Sequence, residues 1–580
     1  MRPLMPVILG LASSHDASAC VLVDGELASA VSLERVTRRK NDGARLPLEA
    51  LAHALEVARV APAQIDGVAS IHSFFPERFF RRESLGKEVE ARLVRARRGE
   101  RQLNVNDLLK RVAPAPIHGY FRREEFLRAL GLRAGIPVRF YDHHATHAMA
   151  AAWYSGFADC VVLTIDGVGE LNIHHTESTW SGGHLERTGM SDRLGASPGE
   201  YYEAVTEAMG FIPLRHEGKV LGLAAHGDPK RLYAEFRRAL RPNAAKDSFD
   251  SDFTGRANAY QARESYLEAL VRAHPREDVA AAAQAVFEDS IVEVTQALLA
   301  RTGKRALAVN GGVFANVKLN QRLAALPELD RLFVFPAMSD TGNSVGAALS
   351  FLNEDKKHAA PSTLRSVYWG SGWDDAACAK ALQAAGVKAE KLDEDALVAR
   401  AADAMHAGRV VGWFQGRMEF GPRALGNRSM IARPTDAEIN KTLNARLART
   451  EFMPFAPSVL EEHAAAIFDN AAKSADCLPF MTITCNVKQE WRTRIPAVVH
   501  VDGTARPQTV SKESNPLYWK LIEAYRARSG IPLVLNTSFN VHEEPIVCFP
   551  ANAVQALAED RIDCLALGPY WAERRADRKA

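Results

Sequence analysis

ADCVVLTIDGVGELNIHHTE (residues 158–177) opens on an apolar run from Cys160 to Ile165, closes it with Asp166-Gly167, and restarts as β-rich sequence that continues into GGHLERTG (182–189). Near the N-terminus, PVILGLAS (6–13), SACVLVDG (18–25) and ELASAVSLERV (26–36) carry the same kinds of element, with Asp24-Gly25 as a hairpin turn between two apolar runs. Strand, Asp-Gly, strand, turn, strand thus recurs after about 150 residues. This spacing predicts an internally duplicated α/β unit with a ligand-binding cleft between its halves.

The rest of the chain fits around that unit. Its 580 residues exceed what one core supports, so a second large domain is expected. The charge and proline cluster LNEDKKHAAPSTLRSVYWGSGW (352–373) marks the boundary, giving domains 1–358 and 359–580, with strands restarting at RSVYWG. Beyond it, DEDALVARAADAMHAG (393–408) and NPLYWKLIEAYRARSG (515–530) read as helices, and VVGWFQG (410–416) and IPLVLNTS (531–538) as strands. A net charge of +2 excludes a global pull towards nucleic acid or membrane, and the arginine-rich 76–102 reads as a solvated helical face. Seven scattered cysteines without a C-x-x-C pair exclude a disulfide framework and a thiolate zinc site. With no apolar run near about 18 residues, a cytoplasmic protein is expected.

Candidate chemistry sits in four places. In YDHHATHAMAAAWY (141–154), a helix would set His143 and His147 at i and i+4, where two imidazoles can chelate one ion, and turn His144 elsewhere. Asp166, at a strand end, and Asp340, in FPAMSDTGNSVGAALS (335–350), supply carboxylates for a mixed nitrogen and oxygen site suited to Fe(II), Mn(II) or Zn(II); each alone also reads as an N-cap. Asn310-Gly311-Gly312 opens NGGVFANVKLNQRL (310–323), a turn into a helix that allows close backbone approach to a nucleotide or phosphate. In the second domain, Arg417, Arg423 and Arg428 lie in the glycine-rich GWFQGRMEFGPRALGNRSMIARP (412–434). Arg506 in DGTARPQTV and Asn536, Ser538 and Asn540 in VLNTSFNVHEEP complete a set suited to phosphate recognition.

These segments, with SHDASACVLVDGELASAVSLERVTRRKND and HEGKVLGLAAHGDP, make the sequence resemble the NodU and CmcH family of O-carbamoyltransferases, which includes the tobramycin carbamoyltransferase. The resemblance implies a duplicated actin-like N-terminal domain followed by a YrdC-like α/β C-terminal domain. It also implies that the C-terminal domain uses carbamoyl phosphate and ATP, with Mg, to give carbamoyl adenylate and pyrophosphate. The N-terminal domain then passes the carbamoyl group to a hydroxyl of a small-molecule acceptor, a specialised metabolite or glycan. The family's metal ligands map to His143, His147, Asp166 and Asp340, with Fe(II) the implied ion. His15 and Asp228 are the candidates for base or orienting group; Lys40, Glu217, Lys219, Asn310, Gly311 and Gly312 for holding the adenylate. Arg417, Arg423, Arg428, Arg449, Arg506, Asn536, Ser538 and Asn540 are the candidates for ATP and carbamoyl phosphate, and a homodimer is expected by analogy. The chain departs from the family pattern in LNARLARTEFMPFAP (443–457), where Ala448, Thr450 and Met453 replace basic residues expected to face the ATP triphosphate. The alternative is therefore the same fold with an altered adenylation site, performing another acyl or phosphoryl transfer or binding nucleotide as a partner.

Overall fold

The computed structural model describes residues 6–71, 79, 121–256, 258–354, 361–447 and 455–574. The basic stretch 76–102, apart from Phe79, and the altered segment around Arg449 lie outside the described residues.

Strands β1 (Ile8–Ala12), β2 (Ser18–Val23), β3 (Glu26–Ser32), β4 (Gly67–Ile71) and β5 (Val138–Tyr141) form a sheet in the order β3-β2-β1-β4-β5. Here β2 is antiparallel to both β1 and β3, while β4 and β5 run parallel to β1. Strands β6 (Asp159–Ile165), β7 (His175–Ser181), β8 (His184–Ser191), β9 (Ala306–Asn310) and β10 (Arg331–Val334) repeat this topology as β8-β7-β6-β9-β10, with the same strand directions. A helix follows the fifth strand in each copy, α1 (His143–Tyr154) after β5 and α4 (Asn343–Glu354) after β10. The second copy also carries α2 (Pro198–Ala208) and α3 (Glu217–Ala224). The expected duplication of the α/β unit is therefore present.

Its register differs from the sequence expectation. Asp166-Gly167 ends the first strand of its copy, so its counterpart is the Ser13–Asp16 exit from β1, and the hairpin turn Asp24-Gly25 corresponds to Gly182-Gly183 between β7 and β8. Both Asp-Gly pairs follow apolar strands, and two turn residues do not distinguish a strand exit from a hairpin.

The alanine-rich sequence of α1 follows from its surroundings. Every residue of the helix except Ala145 is buried. α1 crosses α4 so closely that a Cβ on Gly346 would lie 1.9 Å from the Thr146 carbonyl oxygen, and one on Gly10 of β1 would lie 2.1 Å from that of Ser344. Small side chains let both helices pack between the sheets at this distance.

The C-terminal lobe is an eight-stranded mixed sheet of β11 (Ala389–Lys391), β12 (Val411–Phe414), β13 (Arg428–Ala432), β14 (Ala456–Leu460), β15 (Gln508–Val510), β16 (Leu533–Ser538), β17 (Cys564–Leu567) and β18 (Tyr570–Glu573). Their order is β11-β18-β17-β12-β13-β16-β14-β15. The expected helices form over Glu394–His406 and Pro516–Ser529, capped by the side chains of Asp393 and Asn515. RSVYWG is not a strand. It belongs to an extended connection laid across both lobes, with Ser362 N donating to Trp153 O (3.1 Å) and Gly370 N to Met418 O (2.9 Å). Its alternating apolar residues, among them Val367 and Trp369, bury against the first lobe instead of joining a sheet. One continuous apolar core runs from the second repeat, through Val161, Leu307 and Phe314, into Trp413, Ile431 and Leu535 of the C-terminal lobe. Among the described residues, no helix is long and apolar enough to cross a membrane.

Candidate metal centre and anion-binding loops

The site gathers at the pseudo-twofold relation between the repeats. The first strands deliver His15 beyond β1 and Asp166 beyond β6; the helices after the fifth strands deliver His143 and His147 from α1 and Asp340 just before α4. His143 Nε2 and His147 Nε2 are each 3.1 Å from Asp166 Oδ2 and 3.1 Å from one another; they lie 3.3 and 3.6 Å from Asp340 Oδ1. All four donor atoms fall within 4.8 Å of one another. Ligands at about 2.0–2.1 Å around a tetrahedral ion are about 3.3–3.4 Å apart, so these donors have the spacing of a first coordination shell. Two imidazole nitrogens facing each other and two carboxylates need a positive species among them. Without an ion that species is a proton: burial, the largest influence, would lower His143, but Asp340 and Asp166 outweigh it and push the imidazole up to about 10. Asp340 is correspondingly drawn down to about 2, against burial, by His143, His15 and His147. The donor set therefore fits a divalent borderline metal.

Neighbouring groups hold the donors in place. Asp142 caps α1, its Oδ1 accepting the Ala145 amide at 2.8 Å, and Glu170 Oε2 accepts the His143 amide at 2.8 Å. Asp166 Oδ1 accepts from Gly167 N (2.8 Å) and Gly312 N (3.2 Å), leaving Oδ2 for the centre. Asn310 Nδ2 donates to His147 O at 2.9 Å. Gly311 has φ of +110°, and a Cβ there would lie 2.2 Å from Ile165 O, so only glycine fits. His147 Nδ1 is buried without a hydrogen-bond partner among the described residues. His144 is the bystander expected: its ring nitrogens bond Thr164 Oγ1 and Ile173 O, both at 2.8 Å, and burial followed by His143 pushes it down to about 3.

His15 joins the centre. Its Nδ1 is 3.4 Å from Asp340 Oδ2, and its side chain is 37% exposed, so it both touches the donor set and opens to solvent. Asp228 is not brought to the cluster: its carboxylate accepts from Lys230 N at 3.1 Å, capping a short turn, and faces Arg231 at 3.8 Å. The residue after Gly227 reads alike as a base or a cap, and here the cap is what its contacts describe. Glu217 starts α3 and accepts the Leu214 amide at 2.6 Å; burial raises its pKa, and His15 is among the charges it feels. Lys219 lies over the Phe211 ring, and Lys40 faces Glu34 at 3.6 Å.

The sequence reading passed over Asn343 and Glu203. Asn343 Nδ2 stands 3.3 Å from His147 Nε2 and 3.5 Å from Asp340 Oδ1, while its Oδ1 accepts from Thr146 Oγ1 at 2.9 Å. Its position three residues beyond Asp340 was the available signal. Glu203 on α2 reaches Gly167, and burial, then Asp166, push its pKa up to about 7. That residue is the sixth of its helix, with nothing local to single it out.

In the C-terminal lobe the arginines divide. Arg428 is buried and spends its guanidinium on four carbonyls, those of Gln415, Asn427, Ser371 and Gly416, over the Phe414 ring. Arg417 likewise donates to Ala28 O (2.7 Å) and Trp369 O (2.6 Å), tying the lobes together. Arg423 differs: among the described residues its Nε, like that of Arg428, has no partner, but its Nη atoms make only one long contact, Nη2 to Ala315 O at 3.5 Å, and burial alone lowers it to about 10. No carboxylate pairs with it among the described residues, which leaves its guanidinium available to an anion beside the Gly312–Ala315 turn of the first lobe. Asn536 Nδ2 bonds Ser458 Oγ at 2.9 Å, Gln508 Oε1 at 3.2 Å and Ala424 O at 3.2 Å, bracing the arginine loop from beneath. Ser538 and Asn540 bond each other at 2.5 Å in the turn after β16, and Arg506 lies near His500.

The family model described as carbamoyltransferase N-terminus matches residues 7–349, and that described as carbamoyltransferase C-terminus matches 402–574. The chain is 34% identical over 579 residues to nodulation protein NolNO of Sinorhizobium fredii, covering 97% of this chain and 79% of that protein. It is 35% identical over 439 residues to nodulation protein NolO of Bradyrhizobium diazoefficiens, covering 75% and 79%. It is also 30% identical over 578 residues to an uncharacterized protein of Methanocaldococcus jannaschii, covering 97% and 99%. Full-length HypF in its phosphate- and nucleotide-bound form is a distant likeness, 12% identical with a TM-score of 0.31 over 62% of this chain and 57% of that one, too low to bear on fold or ligand. With the N-terminal model spanning both repeats and the C-terminal model seven of the eight strands of the third sheet, the chain is a transferase and belongs to the carbamoyltransferase family.

Proposed function

We propose that the chain is an ATP-dependent O-carbamoyltransferase. In the C-terminal lobe, carbamoyl phosphate, ATP and water give carbamoyl adenylate, pyrophosphate and phosphate, the carbamate oxygen attacking the α-phosphorus as pyrophosphate leaves. In the N-terminal lobe, the carbamoyl carbon passes to a hydroxyl oxygen of a specialised metabolite or glycan, and AMP leaves. The observation that carries this reading is the convergence of His143, His147, Asp166 and Asp340 at 3.1–3.6 Å.

A divalent ion held there, Fe(II) by the family resemblance, would supply Lewis acidity to a carbonyl or phosphoryl oxygen. His15, partly exposed and held by Asp340, accepts the proton of the incoming hydroxyl. Lys40, Glu217 and Lys219, with the Asn310–Gly312 turn, hold the adenylate. Arg423 neutralises phosphate, with Arg417, Arg428, Arg506, Asn536, Ser538 and Asn540 shaping its loop.

The missing basic residues at Ala448, Thr450 and Met453 favour a second reading, in which ATP is bound weakly and another activated donor is used; each lost charge-assisted phosphate contact removes about 1.5–3 kcal/mol. Incubation with carbamoyl phosphate and ATP, with and without Fe(II), separates the two. Pyrophosphate release and an acceptor gaining one carbamoyl group by mass spectrometry are expected. Absence of pyrophosphate with every metal tried would leave the second reading.

A further inference from the structure

Apart from the metal centre, a second convergence joins the lobes. His216, the residue before α3, meets His542 and Glu543 from the segment after β16, their donor atoms lying within 4.8 Å of one another. His216 Nε2 is 2.6 Å from Glu543 Oε1, His542 Nε2 is 3.3 Å from the same oxygen, and Arg215 Nη1 is 3.6 Å from Oε2. Two imidazoles and a carboxylate could suit an ion, but the wiring opposes it. His216 Nδ1 accepts the Ile212 amide at 3.1 Å, so the neutral ring carries its proton on Nε2. That nitrogen has no lone pair to give a metal, and it donates to Glu543 instead. The contact is a hydrogen bond between lobes.

The backbone on both sides of this bond is unusual. Glu543 has φ of +66° and Leu214 of +64°, in the left-handed region that glycine enters freely and other residues enter at a cost. Such outliers persist where surrounding structure over-determines them, and they cluster at working sites. The loop they frame leads into the transfer site: Leu214 N donates to Glu217 Oε1, Arg215 Nη2 donates to Lys40 O at 3.0 Å, and Glu217 lies within the field of His15. Ile212 and Leu214 are 48% and 47% exposed, so apolar packing anchors this loop at Phe211 and leaves its middle to the polar contacts.

We propose that Glu543 is a positioning residue through which the C-terminal lobe holds loop 211–217 against the transfer site, so that carbamoyl transfer depends on it and adenylate formation does not. This rests on the function proposed above. The test uses the full chain as Glu543→Gly and Glu543→Gln. Glycine suits the backbone but has no carboxylate; glutamine keeps an acceptor for His216. In E543G the thermal midpoint should not fall, pyrophosphate formation should stay within about twofold, and AMP release with glycerol as hydroxyl probe should drop at least about tenfold in kcat, as small misplacements near a reacting centre do. E543Q should recover most of that loss. Amide hydrogen exchange over 212–217 should quicken in E543G and not in E543Q. Unchanged exchange in E543G overturns the proposal whatever the activity, and so does faster exchange with unchanged AMP release. If the wild-type chain forms no pyrophosphate, the functional reading fails separately, and exchange still decides whether Glu543 holds the loop.

Discussion

At the scale of residues, the centre is defined by how much charge four side chains confine. Without an ion, His143 is held up to about 10 and Asp340 down to about 2, so the cluster keeps a proton at neutral pH that a cation must displace. Metal affinity should therefore weaken by about tenfold for each unit of acidification near neutrality, and calorimetry in buffers of different ionisation heat should find close to one proton released per ion. Binding without proton release would contradict the geometry. The same linkage sets the stability of the ion-free protein. A raised His143 stabilises fully below its ordinary 6.5 and loses that contribution as pH rises through about 10; a depressed Asp340 stabilises above its ordinary 3.8 and loses it as pH falls through about 2. Chemical denaturation across this span checks both edges. His147→Ala should abolish metal uptake and cut transfer by at least about 100-fold, beyond what outer-shell changes cost, while sparing pyrophosphate formation. The i and i+4 spacing made His143 and His147 legible in the sequence, because a helix fixes that relation locally. Asp166 and Asp340 were legible as candidate carboxylates from their places at strand ends, but only the family resemblance assigned them firmly to the same ion, since residues 23 and 197 apart meet through sheet topology.

At the scale of elements, the turn after β9 and the crossing of α1 with α4 set the tolerances. Gly311→Ala would press a Cβ to 2.2 Å from Ile165 O at a φ of +110°, and should cost more than about 1 kcal/mol, read as a lowered urea midpoint together with reduced metal affinity, because the Gly312 amide would leave Asp166. An unchanged midpoint would show that the turn can relax. The strands and the two long C-terminal helices were legible from apolar runs and caps. The register of the repeat was not, because Asp-Gly marks both kinds of strand end. RSVYWG was misread because alternation reports burial on one side, which an extended connection across the lobes also provides.

For the whole molecule, the continuous core and the polar ties between lobes make them one mechanical body. Asn320 Nδ2 donates to Thr482 O at 2.7 Å, Lys318 pairs with Asp502 at 2.8 Å and Arg331 with Asp476 at 2.8 Å, over an apolar interior shared by the second repeat and the third sheet. Calorimetry should show a single dominant unfolding transition, and two transitions separated by more than about 10 °C, larger than the shift of a single-site change, would count against it. The repeated arrangement also divides the chemistry of the centre. Each repeat brings its first-strand exit and the start of its fifth-strand helix to the same point, so the centre is shared between two like halves of one polypeptide. The halves contribute unequally: the imidazoles of His15, His143 and His147 come from one, the carboxylates of Asp166 and Asp340 from the other. Neither half supplies both kinds of donor, so neither half alone can build this centre.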